Sequence, residues 1–267
     1  MAAPRRSRGL IIFGGTTNNV IGLKPDGSGN GNQIAFNYAA GVLVDDTNTM
    51  GIAIRGNSIF SNGGLGIDLN NDGVTTNDTG DADMGPNGLQ NFPVITNALA
   101  SGANTVISGK LNSTPNNSFF IDVYRNLSPD SSGYGEGQVY VGTVSVNTDG
   151  SGNAGFALTD TGNYAGQYFT ATATSAGGDT SEFSTNLLAV AGPAAQFVGP
   201  FQSGASGFAF SLALQTNFSY RIQAATNLVA PIAWADLTNF TATSTPFSFA
   251  DRAATNYRVR FYRVVSP

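Results

Sequence analysis

The residues with the most evident chemistry sit in one stretch, DLNNDGVTTNDTGDADMGPN, running from residue 68 to 87. It holds Asp68, Asp72, Asp78, Asp81 and Asp83 and no basic residue; the nearest are Arg55 upstream and Lys110 downstream. Close carboxylates repel by about 1 kcal/mol per pair even in water, so the cluster calls for a cation. Asp68, Asn70, Asp72 and Gly73 match the D-x-N-x-D-G opening of a calcium loop, in which oxygens at positions 1, 3 and 5 meet one ion because the glycine permits a sharp turn. Thr79 stands where such a loop places its twelfth-position glutamate, and no flanking helices are apparent, so an EF-hand is not expected. The expectation is a Ca2+ site drawn from Asp68, Asn70, Asp72, Asp78, Asp81 and Asp83. The competing reading is a solvated acidic turn held by Asx hydrogen bonds.

Carboxylates are also the only groups left for acid–base work. The chain has no histidine and no cysteine. That removes imidazole bases, thiol nucleophiles, disulfides and thiolate metal sites. Glu136, set among three glycines in Ser132–Gly137, is the best acid candidate, with Asp122 or Asp68 as its partner. Glycosidases need two carboxyl groups about 5–9.5 Å apart, a distance that sequence does not supply. No catalytic residue is assigned outright.

These residues must be positioned by strands. The chain has 267 residues, 34 of them glycine, and only 11% are charged, a mix with Asn, Thr and Ser that favours strands and tight turns. A net charge of −5 gives no reason to expect nucleic acid. No apolar run is long enough to span a membrane. The opening MAAPRRSRGLIIFGG has a basic start but too short an apolar run for a signal peptide, and reads as a truncated frame. Between residues 56 and 191, Lys110 and Arg125 face a large acidic excess, whereas residues 193–267 carry five arginines against Asp236 and Asp251. That shift at Gly192-Pro193 and a seam near Phe92-Pro93 divide the chain into segments 1–92, 93–191 and 192–267.

The first segment repeats itself. NQIAFNYAAGVLV (Asn32–Val44) aligns without a gap on NSIFSNGGLGIDL (Asn57–Leu69). A fixed period of short alternating strands implies stacked coils, with Ile34 over Ile59 and Asn37 over Asn62 as an amide ladder. The coil at the N-terminal end then needs cover, either by further coils upstream or by self-association through that open end. Arg5, Arg6 and Arg8 favour head-to-tail contact with the acidic region of a neighbour. In the second segment, strands are expected over Thr105–Leu111, Phe119–Tyr124, Gln138–Val146, Ala154–Leu158 and Gln167–Thr174. In the third, alternation at Phe218, Tyr220 and Ile222 and at Tyr257, Val259 and Phe261 predicts strands, with Trp234 in the core.

NNVIGLKPDGSGNGNQI and the repeated units resemble the last coils of bacterial right-handed parallel β-helix surface proteins of the CSLREA-motif-associated type. GIDLNNDGVTTNDTGDADMGPNGLQNFPV resembles the segment closing those helices. SGYGEGQVYVGTVSVNTDGSGNAGF followed by TATATSAGGDTSEFS resembles their next, Ig-like domain, and the tail from SYRIQAATNL to FYRVVSP resembles C-terminal modules of Verrucomicrobia-like secreted proteins. The resemblance implies an all-β chain: a short right-handed parallel β-helix, then two β-sandwich modules, the first Ig-like. It also implies a secreted or cell-surface location, and no particular activity. Three functions follow. The first is a calcium-stabilised structural or adhesive module. The second is a carbohydrate-binding module for a polysaccharide or cell-surface glycan, with Tyr38, Phe60, Tyr134 and Tyr140 as stacking candidates. The third is a glycoside hydrolase or polysaccharide lyase that works with Asp and Glu.

Overall fold

The computed structural model describes residues 8–192, 194–216 and 218–266, so Arg5 and Arg6 lie outside it. The described residues are all-β, with helical geometry confined to two short 3-10 turns, Pro86–Leu89 and Arg252–Asn256. They form two compact units: Met1–Leu99, Thr105–Asp160 and Tyr164–Val190 in one, and Ala100–Asn104, Thr161–Asn163 and Ala191–Pro267 in the other.

The first unit begins with seven short strands: β1 (Leu10–Ile12), β2 (Thr17–Gly22), β3 (Gln33–Ala35), β4 (Val42–Val44), β5 (Met50–Arg55), β6 (Ser58–Phe60) and β7 (Ile67–Leu69). They pair in parallel as β1-β4-β7, β2-β5 and β3-β6. The register is the one the repeat predicts: Ile34 lies beside Ile59, and Val42 and Val44 beside Ile67 and Leu69. Amide ladders fix it. Asn57 Oδ1 accepts the backbone N–H and Nδ2–H of Asn32 at 2.9 and 3.0 Å, and Asn62 Oδ1 accepts Nδ2–H of Asn37 at 2.9 Å. The corners repeat as well: Phe36 and Ser61, one period apart, both adopt left-handed backbone with φ of 61° and 56°. Inward positions Val42, Val44, Ile52, Ile54, Ile59, Ile67 and Leu69 make a continuous core with Tyr124 and Phe183.

The edges of these small sheets differ. On the upstream side, β1, β2 and β3 each pair with one strand only; β1 and β2 are largely exposed and β3 is half-buried. On the downstream side the unit covers itself. Ile59 exchanges two 2.8 Å backbone bonds with Gly137, Asn87 brackets the N–H and C=O of Ile52 at 2.9 Å, and Glu182 takes the N–H of Leu69 at 2.9 Å. Arg8, the one of the three N-terminal arginines within the described residues, donates to the hydroxyl of Tyr38.

The unit continues with β8 (Val94–Ser101), β9 (Asn104–Asn112), β10 (Ser118–Asn126), β11 (Val139–Asn147), β12 (Asn153–Thr161), β13 (Tyr168–Ser175), β14 (Leu187–Leu188) and β15 (Val190–Ala191). Two four-stranded sheets, β11-β10-β13-β14 and β12-β9-β8-β15, face each other across a core of Ile107, Leu111, Phe119, Ile121, Val123, Phe156 and Phe169. All five strands expected between residues 105 and 174 are present. Segments 1–92 and 93–191 fall largely in one unit because two of the covering groups, Gly137 and Glu182, and the Tyr124 and Phe183 rings come from the second segment.

The second unit holds β16 (Gln196–Gly204), β17 (Gly207–Ala213), β18 (Ser219–Ala225), β19 (Ala235–Thr241), β20 (Phe247–Asp251) and β21 (Phe261–Val265). They form sheets β16-β17-β20 and β19-β18-β21 over a core of Phe210, Leu212, Leu214, Tyr220 and Ile222. Two expectations fail here. Tyr257 and Val259 are not on a strand; they follow the 3-10 turn that Asp251 caps, and both are exposed, so their alternation marks no buried face. Trp234 is half-buried rather than in the core, because Arg263 lies over its indole at 4.4 Å.

Candidate functional site

The acidic stretch folds into two groups. Asp78, Asp81 and Asp83 come together, with one carboxylate oxygen from each lying within 4.8 Å of the others. Asp81 is turned inward by a left-handed backbone (φ 59°) and anchored by two donors, the backbone N–H of Asn91 at 2.8 Å and the hydroxyl of Ser113 at 2.7 Å. Asn91 also holds Asp78 in place, accepting its N–H at 3.0 Å and donating Nδ2–H to its carbonyl at 2.7 Å. The Asp78 carboxylate accepts the N–H of Ala82, while Oδ1 of Asp83 is shielded from solvent and has no hydrogen-bond partner. Burial, and then the neighbouring Asp83 and Asp78, push Asp81 up to about 6. Burial and Asp78 raise Asp83 as well. Three hard oxygen donors, with one orphaned buried oxygen among them, are a group that could hold a metal ion.

Asp68, Asn70 and Asp72 lie outside that group. Asn70 donates to Asp72 at 2.9 Å on the surface, and Oδ1 of Asp68 is buried without a partner. Burial raises the Asp68 carboxyl, with Asp72 adding to it. Beside them sits Glu182, which no sequence motif marks. It is buried, accepts the N–H groups of Leu69 and Thr75 at 2.9 Å each, and so closes the acidic stretch onto β7. Burial, with Asp68 and Asp72 nearby, pushes it up to about 8.

The two remaining catalytic candidates belong to separate networks. Glu136 is buried; its Oε1 accepts Nδ2–H of Asn62 at 2.6 Å, and the N–H of Asn62 reaches both oxygens at 3.2 and 3.3 Å. Burial, with Asp130 nearby, raises its carboxyl despite those donors. Asp122 is fully buried and bidentate with Arg55, Nε–Oδ2 at 3.0 Å and Nη2–Oδ1 at 2.9 Å. Asp68 faces Glu182 and Asp72 rather than either of these. Of the proposed stacking aromatics, Tyr140 packs on the first core and Tyr134 sits edge-on to Phe92 at 5.6 Å. Tyr38 is exposed beneath Arg8, and Phe60 is edge-on to exposed Phe36 at 5.5 Å. Among the described residues no helix is long and apolar enough to cross a membrane. No known protein-family model matches the chain.

Proposed function

We propose that this chain is a non-catalytic extracellular structural or adhesive module. In this reading its first segment is the end of a short right-handed parallel β-helix, the acidic stretch binds calcium, and an Ig-like β-sandwich and a second β module follow. The observation that carries it is the use made of the buried carboxylates. Glu136 ends an asparagine ladder, Glu182 ties the acidic stretch to β7, and Asp122 binds Arg55. Each is engaged by fixed donors, the condition of a structural group. The stacked coils are supported by the parallel pairing and the ladders, and calcium by the donor set of Asp78, Asp81 and Asp83.

The test is thermal unfolding in calcium and in EDTA, run beside a chromogenic-glycoside and polysaccharide screen. A calcium-dependent rise in Tm with no turnover supports the reading. Identical melting curves would remove calcium from it. Turnover lost in Glu136→Gln would replace it with a carboxylate-based glycoside hydrolase.

A further inference from the structure

The second unit contains a cavity of about 390 Å³ beside the β16–β17 hairpin, within the size range of small-ligand sites. Its wall includes Gly204, Phe208, Tyr257, Arg258, Arg260 and Tyr262. The polar side of the wall is built from beneath. Buried Asp251 holds Arg260 Nε at 2.7 Å, accepts the hydroxyl of Tyr262 at 3.0 Å, and accepts the N–H of Ala253 at 3.0 Å. Arg260 in turn lies over the Tyr257 ring at 4.1 Å. Asp251 therefore offsets the charge of Arg260. Arg258 is exposed at the same wall, and among the described residues no ion pair or hydrogen bond is made by its side chain, so the cavity keeps one uncompensated guanidinium. The apolar side is a row of rings. Phe201 stacks on Phe208 with 9° between planes, and Phe208 on Tyr262 with 24°. Phe201, beside the cavity rather than in its wall, is 58% exposed, and Tyr257 in the wall is 44% exposed with Arg260 over one face of its ring, so part of each ring surface is accessible.

We propose that this cavity binds a carboxylate-bearing saccharide, with Arg258 gripping the carboxylate and the exposed aromatic faces receiving the sugar ring. A guanidinium fork matches a carboxylate in geometry and charge, and an aromatic face suits the C–H face of a pyranose. An acidic peptide would satisfy Arg258 but would leave the row of ring faces without a purpose. The basic excess of residues 193–267, against the acidic excess before it, fits an anionic ligand for this unit. The site lies wholly in the second unit, so its test is independent of the calcium test.

The experiment is isothermal titration of the full chain with trigalacturonate, a neutral galactose trisaccharide and a triaspartate peptide, at low and high salt. Trigalacturonate should bind best and weaken with salt. Losing a charge-assisted contact in Arg258→Gln should weaken it about tenfold or more. Gly204→Leu supplies a second, fold-neutral probe, since Gly204 lies outside the left-handed region and a Cβ there meets nothing within 4 Å. It should block binding with an unchanged Tm. Tighter binding of the peptide or the neutral sugar, no binding at all, or trigalacturonate affinity unchanged in both variants would overturn the proposal.

Discussion

The carboxylate of Glu136 accepts the Nδ2–H of Asn62 at 2.6 Å, and Oδ1 of that asparagine accepts the Nδ2–H of Asn37 at 2.9 Å. A residue from the second sequence segment thus terminates a ladder that begins in the first. Removing it takes the acceptor from the backbone N–H and one Nδ2–H of Asn62 in a half-buried site, while the other Nδ2–H keeps the Ile34 carbonyl at 3.1 Å. Glu136→Ala should lower stability by about 1–3 kcal/mol, the range for an orphaned buried donor, whereas Glu136→Gln keeps one acceptor oxygen and should lose less. Urea unfolding decides this; an alanine variant as stable as the parent chain would show that the ladder needs no terminus.

Glu182 sets a pH dependence whose sign follows from its environment. Its carboxyl is raised from 4.5 to about 8 in the folded chain by burial first and by Asp68 and Asp72 second. The folded state therefore holds the proton that the unfolded state has already released, and stability falls as pH rises from about 4.5 to about 8. The full decline is on the order of a few kcal/mol. Asp81, raised from 3.8 to about 6, adds a smaller decline below about pH 6, which calcium should oppose. Tm measured against pH in EDTA should fall across this window and flatten in Glu182→Gln. A parent chain that gains stability between pH 5 and 8 would contradict the assignment.

The register of the parallel strands was legible because the same residue types recur at one spacing: Asn32 and Asn57, Ile34 and Ile59, Asn37 and Asn62 each meet their counterparts. The first turn of the chain was less so. Leu10 pairs with Val42, a longer step, because residues 23–32 form a loop between β2 and β3 with no counterpart between β5 and β6. The expected strands of residues 105–174 followed from alternation between glycine and asparagine turns, yet β8 was missed, its threonine, asparagine and alanine giving no strong apolar pattern. The acidic stretch showed its charge but not its division. That depends on Asn91 and Ser113, which select Asp81 from other parts of the chain, and no local spacing encodes them.

That division makes the calcium prediction specific. If Asp78, Asp81 and Asp83 hold the ion, a hundredfold excess of calcium over Kd should stabilise the folded state by about 2.7 kcal/mol. Asp83→Asn should abolish most of that gain, because its buried, partnerless Oδ1 is the donor with no other role. Asp72→Asn, on the exposed side, should keep it. Differential scanning calorimetry of the two variants with and without calcium separates the groups; loss of the gain in Asp72→Asn alone would move the site to Asp68, Asn70 and Asp72.

Arg55 on β5 and Asp122 on β10 form the most enclosed charge pair, with side chains 3% and 0% exposed. Phe120 lies under the guanidinium at 4.1 Å, and the hydroxyl of Thr143 accepts from Nη2 at 3.1 Å. Attraction and desolvation of such a pair nearly cancel, so its presence alone adds little net stability. Breaking it differs, because one buried charge then stands alone. Asp122→Leu and Arg55→Met should each cost about 3–5 kcal/mol, while the double change Arg55→Met with Asp122→Leu should cost clearly less than their sum. Denaturant unfolding of the two single variants and the double variant closes the cycle. Additive losses would mean that the ion pair does not couple β5 to β10, and that the Ile59–Gly137 bonds, the Glu136 and Glu182 carboxylates and the Tyr124 and Phe183 rings hold the parallel strands to the sheets that follow.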